Sequence, residues 1–309
     1  MLESPTSISL PSLIQLEQRA AALQLLSGSI RSPLTGGHLS RLRGRGMEFD
    51  EVRRYQTGDD ARTIDWRVTA RKGSPYIKLF REERERPILL CIDYRQSMFF
   101  ATRGALKSVV ASTIAALYGW AGVAHGDRVG GLLFDDNSLW EQRPAKGRRA
   151  LLRLLHLCCK HESWQQQKLK AAALRRESVA KILLRLRRVT PSGSLVVIVS
   201  DGRGFNEQCE AYLAPLARHS SVVFLHITDP LERRLPQSGI YPIDDGNGVI
   251  LFDGRNLTLR QRYEQQYQQR RFALQQRCHH LGVHWIDIST SDDLLHRLDA
   301  SGQVRAPGS

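Results

Sequence analysis

The stretch SLVVIVSD, residues 194–201, is a run of apolar side chains that ends in a serine and an aspartate. An uninterrupted apolar run of this length is typical of a parallel strand that is buried on both faces. PILLCID at 87–93 has the same character, and SVVFLHITD at 221–229 and VHWIDI at 283–288 follow later in the chain. Together these runs predict a buried, mostly parallel sheet.

Segments with helical character separate the strands. The longest apolar one lies around 104–124, and further helices are predicted around 147–159, 168–189, 206–217 and 257–281. This alternation predicts an α/β fold in which a mostly parallel, doubly wound sheet of the Rossmann type carries helices on both faces. In such sheets ligands bind at the carboxyl ends of the strands.

The remaining segments are less regular. Leu13, Leu16, Ala20, Leu23 and Leu26 lie at helical spacing near the start of the chain. Residues 47–78 are densely charged and predict an irregular segment. DDGNG at 244–248 lies between two short apolar stretches and predicts a β-hairpin.

The composition excludes several classes of protein. With 41% hydrophobic residues in 309, the chain has the apolar surface that a disordered chain lacks. Five cysteines without regular spacing argue against a disulfide framework and indicate a reducing compartment. The first residues do not form a secretory signal, and residues 108–124 fall short of the ~20 apolar residues of a membrane span. We therefore expect a cytoplasmic protein without a membrane span.

The charge is uneven along the chain. Lysine and arginine number 45 against 31 acidic residues, and residues 143–188 contain fourteen basic residues and two acidic ones. This stretch is either a solvated helix face or a surface for an acidic protein or a nucleic acid. Trp164 is its only aromatic residue, which disfavours nucleic acid because single-strand binders stack bases on aromatic side chains. The candidate partner surface consists of Arg175, Arg176, Arg187 and Arg188.

Residues 48–71 interleave arginines with acidic residues. Opposite charges at this density can form a network of bidentate pairs that holds an irregular segment against a sheet, with Tyr55 and Trp66 as apolar anchors. A recognition surface for a partner is the alternative. An enzyme site is the least favoured interpretation, because no base or nucleophile stands out.

The residues that follow two of the strands form a second candidate site. Asp93, Arg95 and Ser97 follow the strand at 87–93, and Asp201 ends the one at 194–201. These are carboxylates and hydroxyls, whereas a phosphate-binding loop is rich in glycine. Gly202-Arg-Gly204 lacks the third glycine of a dinucleotide fingerprint. Nucleotide binding is therefore not expected.

The segment from Gly44 to Met98 closely resembles the bacterial family called domain of unknown function 58. The resemblance implies a von Willebrand factor A-like domain from about residue 85, with a MoxR-type AAA+ ATPase as partner in assembling or activating client proteins. We expect an N-terminal helix and charged signature segment at 1–84, the A-like domain at 85–300 and a flexible tail at 301–309. The signature residues that match are Arg53, Tyr55, Gly58, Asp59, Arg62, Asp65, Trp66 and Arg71.

A-type domains often carry a metal-ion-dependent adhesion site of the form Asp-x-Ser-x-Ser, which a distant threonine and aspartate complete. By this resemblance Asp93, Ser97 and Asp201 match, but Arg95 replaces the first serine and the loop at 144–149 has no threonine. Both departures remove an oxygen ligand for Mg²⁺. We expect a degenerate site without a cofactor, in which the Arg95 guanidinium neutralises the two aspartates. Mg²⁺ is the ion that the remaining oxygens would suit.

Cysteines and histidines on two predicted helices offer a weaker metal candidate. His156, Cys158, Cys159 and His161 lie on one helix, and Cys278-His-His280 lies on another. Their spacing is not that of a zinc finger or ribbon, and a buried cysteine is usually a small apolar side chain.

The function predicted from the sequence is that of a non-catalytic protein-interaction adaptor. The family resemblance implies the MoxR-type ATPase as its partner, and no nucleophile motif such as Gly-x-Ser-x-Gly indicates an enzyme. The alternative is a basic nucleic-acid-binding protein that uses residues 143–188.

Overall fold

The computed structural model describes residues 4–20, 47–56, 64–82, 85–166, 179–244 and 249–302. The chain divides into two compact units, each described by itself below. The sheet unit comprises residues 1–30 and 86–309, and the signature unit comprises residues 31–85.

The strands, in chain order, are β1 Met47–Arg54, β2 Tyr76–Glu82, β3 Pro87–Asp93, β4 Arg128–Phe134, β5 Leu139–Lys146, β6 Leu195–Ser200, β7 Ser221–Thr228, β8 Ile240–Asp244, β9 Val249–Asp253 and β10 His284–Ser289. The helices are α1 Leu10–Gln15, α2 Glu17–Ala20, α3 Trp66–Lys72, α4 Lys107–Ala124, α5 Arg148–Lys160, α6 Ser163–Gln166, α7 Val179–Val189, α8 Glu207–His219, α9 Pro230–Arg233, α10 Leu257–His280 and α11 Leu294–Gly302.

Six strands form the central sheet in the order β10-β7-β6-β3-β4-β5. All neighbours are parallel except β4 and β5. When these strands are renumbered by their position in the sheet unit, the order from the β5 edge is 3-2-1-4-5-6, which is that of a doubly wound fold. The predicted fold class, an α/β fold with a mostly parallel, doubly wound sheet of the Rossmann type, is confirmed, and this topology fits the predicted von Willebrand factor A-like fold.

Alternate residues of each strand enter two apolar layers, one on each face of the sheet. Ile88, Leu90 and Ile92 of β3 pack in the layer that contains α1, α2, α4, α5 and α11. Leu89 and Cys91 pack in the other layer, with α7, α8 and α10. The apolar helix α4 is buried along nearly its whole length, and among the described residues no helix has both the length and the apolarity to cross a bilayer.

The N-terminal residues 4–20 belong to the sheet unit. Leu13 and Ala20 are buried in the layer around α4, and the indole Nε1 of Trp120 donates a hydrogen bond to the carbonyl of Leu13 at 2.8 Å. The sequence predicts a single N-terminal region at residues 1–84. These contacts instead assign the N-terminal helices to the sheet unit, apart from the signature segment. At the other end α11 reaches Gly302, so most of the predicted tail lies outside the described residues.

The signature unit is more regular than its sequence predicts. Strands β1 and β2 pair in antiparallel register, with an irregularity between Phe49 and Glu51. Helix α3 precedes β2, and Ile64 forms an isolated bridge with Ile77. The backbone hydrogen bond from Asp65 to the carbonyl of Tyr76, at 2.8 Å, holds the start of α3 beside the strand.

Candidate functional site

The candidate site lies where β3 and β6 end. These neighbouring strands lie at the point where the strand order reverses, which is where ligands of doubly wound sheets bind. Asp93 is the last residue of β3, and Asp201 follows β6 directly. Gly202 has a φ of +73°, and a Cβ there would lie 2.5 Å from Leu274 Cδ2. This turn therefore requires glycine, and it directs the chain away from the sheet immediately after Asp201.

Arg95 folds back onto the aspartate at the end of β3. Its Nη2 lies 2.5 Å from Asp93 Oδ2, and its Nε donates to Asp93 Oδ1 at 2.9 Å. The same Nη2 lies 3.7 Å from Asp201 Oδ1. Ser200 Oγ donates to Asp93 Oδ2 at 2.7 Å. The structure thus brings together Asp93, Arg95 and Asp201, three of the residues that the sequence singled out.

A buried lysine supplies a second cation, which sequence reasoning missed. The Lys107 side chain is 0% exposed, and its Nζ lies 3.1 Å from Asp201 Oδ2 and 2.7 Å from Glu232 Oε1. Lysine is almost never fully buried without a partner. The available signal was that Lys107 begins a helix which carries no other charge. Glu232 lies in the short helix α9, which the sequence analysis did not predict.

Arg203 covers the two acids from the solvent side. Its Nη2 donates to Glu232 Oε1 at 3.0 Å, and its Nε lies 3.5 Å from Asp201 Oδ2. Three carboxylates and three cations therefore meet where the strands end, and their formal charges cancel. We call this group the strand-end cluster; its members are Asp93, Arg95, Lys107, Asp201, Arg203 and Glu232.

The cluster fixes the ionisation of its central acid. Burial acts to raise the pKa of Asp201, but the charges of Lys107, Arg95 and Arg203 outweigh burial and hold that pKa well below its usual range. Asp201 is therefore a carboxylate at neutral pH. A carboxylate fixed in this way is a poor general base, because catalytic efficiency is best when the pKa lies near the working pH.

The cluster does not suit a divalent cation. Oxygens of Asp93 and Asp201 already contact a guanidinium or ammonium group, and an added Mg²⁺ would leave two positive charges uncompensated. Ser97 is half-buried in the 3-10 turn that follows Arg95. Within the described part of the chain, no group of three His, Cys, Asp or Glu residues could hold a metal ion. That the site takes no cofactor stays a prediction.

In the signature unit, Asp65 has a local structural role. It is the N-cap of α3, where its Oδ1 accepts hydrogen bonds from the backbone N–H groups of Arg67 and Val68 at 3.0 and 3.2 Å. Arg71 is exposed near the end of the same helix, and Arg53 is half-buried on β1. Gly58, Asp59 and Arg62 lie outside the described residues.

Trp66 does not anchor the segment as predicted. Its side chain is 71% exposed at the first position of α3. The prediction is wrong because it took an aromatic residue as an apolar anchor without knowing which side of the helix it occupies. Tyr55 is half-buried. An exposed tryptophan beside the exposed Arg67 favours the recognition interpretation, since tryptophan and arginine are enriched where proteins bind one another.

The basic stretch is divided by the sheet. Helix α5 packs on one face and α7 on the other, so the described basic residues of 143–188 do not form one continuous surface. Arg187 and Arg188 are exposed in the last turn of α7. Arg175 and Arg176 lie outside the described residues.

The same division separates the two halves of the zinc candidate. Cys158 of α5 is buried in one apolar layer, and Cys278 of α10 is buried in the other. Burial raises the pKa of each thiol to about 12, so neither is a thiolate at neutral pH. Both cysteines are small apolar core residues.

Comparison with known proteins places the chain among uncharacterised relatives. A family model described as "Protein of unknown function DUF58" matches residues 51–273. "Uncharacterized protein Rv1480" of Mycobacterium tuberculosis is 30% identical over 236 residues, which cover 75% of this chain and 72% of that protein. "Uncharacterized protein Mb1516" of Mycobacterium bovis gives the same values, 30% over 236 residues, 75% and 72%. A crystal structure of the conserved hypothetical protein BatB from Bacteroides thetaiotaomicron has a TM-score of 0.43 and 14% identity, and the match covers 70% of this chain and 96% of that chain.

Proposed function

Because the chain belongs to the family described as Protein of unknown function DUF58, we propose that it acts as a non-catalytic protein-interaction adaptor. Its proposed partner is a MoxR-type AAA+ ATPase, with which it assembles or activates client proteins. The family resemblance suggests this partner. The proposed lack of catalytic activity rests on the residues of the strand-end cluster.

The observation that carries the proposal is the charge balance of the strand-end cluster. In a metal-dependent A-type site, an open coordination position of the ion takes a carboxylate of the partner. Here Arg95 and Lys107 make the contacts to Asp93 and Asp201 that a cation would otherwise make. A site of this kind offers neither a Lewis acid nor a free base, so the adaptor would hold its partner through other surfaces.

The exposed arginines of α7 are the first such surface. Arg187 and Arg188 are exposed, and like-charged neighbours would steer an acidic partner at moderate salt. The nucleic-acid alternative is disfavoured because Trp164, the aromatic residue of the basic stretch, is engaged within the protein. Its ring packs edge-on against Phe99, with ring centroids 5.0 Å apart, and its Nε1 donates to the Cys158 carbonyl. That ring is half-buried and engaged in these contacts, which disfavours stacking on a base.

Isothermal titration of the ATPase from the same organism tests the proposal. Charge reversal at Arg187 and Arg188 should weaken binding at least about tenfold, whereas Arg103→Glu, at an exposed loop arginine, should leave it unchanged. Charge reversal at Arg175 and Arg176, the other two residues of the candidate partner surface, should also weaken binding of the ATPase. If the parent ignores the ATPase and binds nucleic acid tightly at ~150 mM salt, with the steep log-linear salt dependence of phosphate contacts, the nucleic-acid alternative replaces the adaptor.

A further inference from the structure

A half-buried arginine lies where β7 ends. Arg233 is the last residue of the short helix α9. Its Nε and Nη2 both donate to Thr228 Oγ1, at 2.9 and 2.6 Å, and Thr228 is the last residue of β7. Ligands of doubly wound sheets bind outside the carboxyl ends of the strands. Arg233 therefore lies at the edge of the sheet where a ligand is expected.

Arg233 contacts no carboxylate among the described residues. Acids on the same and neighbouring elements have other partners. Glu232 contacts two cations of the strand-end cluster. The oxygens of Asp229, the N-cap of α9, accept hydrogen bonds from backbone and hydroxyl groups, and Asp287 pairs with Arg271. The guanidinium of Arg233 thus donates to a neutral hydroxyl, although a carboxylate is the acceptor that its planar fork matches best.

A buried hydroxyl beside this contact lacks a partner. Tyr267 of α10 is 9% exposed, and its Oη is buried without a hydrogen-bond partner among the described residues. Burial raises the pKa of Tyr267, while the charge of Arg233 and the hydroxyl of Thr228 act to lower it. These three groups are therefore close together, and the tyrosine keeps its proton at neutral pH. A buried donor without an acceptor destabilises the folded state.

The Thr228 hydroxyl has no capacity left for Tyr267. A hydroxyl donates one hydrogen bond and accepts two. Thr228 Oγ1 donates to the carbonyl of Ile288 at 3.4 Å and accepts twice from Arg233. When Arg233 turns to another acceptor, the Thr228 oxygen becomes free to accept from Tyr267. Every hydroxyl of this group then has a partner.

A carboxylate is the acceptor that suits this exchange. The Nε and Nη2 edge of an arginine binds the two oxygens of a carboxylate side by side. One guanidinium without an acidic partner also balances one negative charge. A phosphate group carries about −1.5 to −2 at neutral pH, and its further charge would be repelled by Asp229 and Glu232 at the start and in the middle of the same helix.

We propose that Arg233 binds a small carboxylate at the end of β7, and that Tyr267 donates to Thr228 when Arg233 turns to this ligand. The two oxygens of the ligand replace Thr228 Oγ1 as acceptors of the Nε and Nη2 protons. The site does not rest on the proposed ATPase partnership, so either proposal can fail without the other.

Acetate is the probe, and thermal unfolding of the full chain is the measurement. Acetate should raise the melting temperature of the parent, because a ligand of the folded state must do so. Arg233→Met should weaken acetate binding at least about tenfold, and so should Arg233→Lys, which keeps the charge but loses the fork. Arg234→Met, at the neighbouring exposed arginine, is the matched control and should respond like the parent. General effects of salt on unfolding are common to all four proteins and cancel.

Tyr267→Phe tests the exchange of hydrogen bonds. Without acetate this variant should melt no lower than the parent, because it removes a donor that has no acceptor. Its affinity for acetate should be about two- to tenfold weaker, because Thr228 gains no hydrogen bond when Arg233 turns away. A tyrosine with only a structural role would instead lower the melting temperature on removal and leave the acetate affinity unchanged.

Two results would overturn the carboxylate site. The first is an equal acetate response of the parent and the Arg233→Met variant. The second is a response to inorganic phosphate that depends on Arg233, without any response to acetate. The source of the carboxylate is distinguished by an acetylated and amidated Gly-Glu-Gly peptide: if it binds through Arg233, a protein side chain can be the ligand, and if only acetate binds, the ligand is a free organic acid.

Discussion

Lys107 and Asp201 form an ion pair inside the sheet unit, with 3.1 Å between Nζ and Oδ2. They lie 94 residues apart in the sequence, and Lys107 also contacts Glu232. A cation that is covalently part of the chain cannot dissociate. The charge of this site is therefore independent of the concentration of divalent ions, unlike that of a metal-dependent adhesion site.

Replacing the buried lysine should be strongly destabilising. Lys107→Met removes the buried ammonium group and leaves Asp201 and Glu232 with the exposed Arg203 as the cation they share. Breaking a buried ion pair from one side costs about 3–5 kcal/mol. Lys181→Met, at an exposed position of α7, should change the free energy of unfolding by less than about 0.5 kcal/mol. Urea unfolding measures both. Equal free energies of unfolding for the Lys107→Met and Lys181→Met variants would show that the buried lysine does not compensate the charges of the two acids.

Millimolar Mg²⁺ should not change the melting temperature of the parent, because its cations already neutralise the aspartates. Arg95→Ser restores a hydroxyl and leaves Asp93 without its main partner. This variant should gain a Mg²⁺-dependent rise in melting temperature, worth about 2.7 kcal/mol at a concentration 100 times the dissociation constant. Adding Asp93→Asn should abolish the rise. A clear response of the parent would contradict the prediction.

Stability should fall at acid pH through Asp201. Its pKa in the folded state lies below that in the unfolded state, so the unfolded chain binds the proton first as the pH decreases. The stabilisation is complete above the unfolded pKa of about 3.9 and is lost as the pH falls towards the folded value. Asp201→Asn should flatten this part of the curve, measured by urea unfolding between about pH 5 and 2.5. Glu207→Gln, at an exposed residue, should retain the slope of the parent.

The role of Asp65 can be separated into capping and charge. Asp65→Ala should cost about 0.5–2 kcal/mol because two backbone N–H groups lose their acceptor. Asp65→Asn keeps an acceptor oxygen and removes the charge, so it should unfold at nearly the temperature of the parent. If asparagine costs as much as alanine, the predicted charge network, and not the cap, holds the segment.

Trp66→Ala tests the recognition interpretation. Because the side chain is 71% exposed, its loss should change stability by less than about 0.5 kcal/mol. Binding to the proposed ATPase should weaken at least about tenfold if the tryptophan is an interface anchor. A large drop in melting temperature, with unchanged affinity, would restore the structural interpretation.

The sequence was sufficient to predict the fold because each buried strand is a local apolar run. It was also sufficient for Asp93, Arg95 and Asp201, since strand ends can be located from the same runs. Lys107 and Glu232 escaped prediction because their pairing joins residues 125 apart, and no local pattern reports which distant charges meet. The helical pattern of α5 and α7 likewise predicts a polar face for each helix, but it does not indicate on which side of the sheet each helix packs.

The signature unit interrupts the sheet unit in the sequence, since residues on both sides of it belong to one folded body. It is therefore an inserted domain and not a terminal extension. Progressive truncation from the N-terminus would remove Leu13 from beneath Trp120 before it reached the signature residues, so it would damage the core first. Excising the insertion and joining its flanks with a flexible linker avoids this damage. Because the entropy of loop closure changes only slowly with length, the length of this linker should have little effect on stability. The excised chain is therefore the appropriate form for measuring what the sheet unit binds alone.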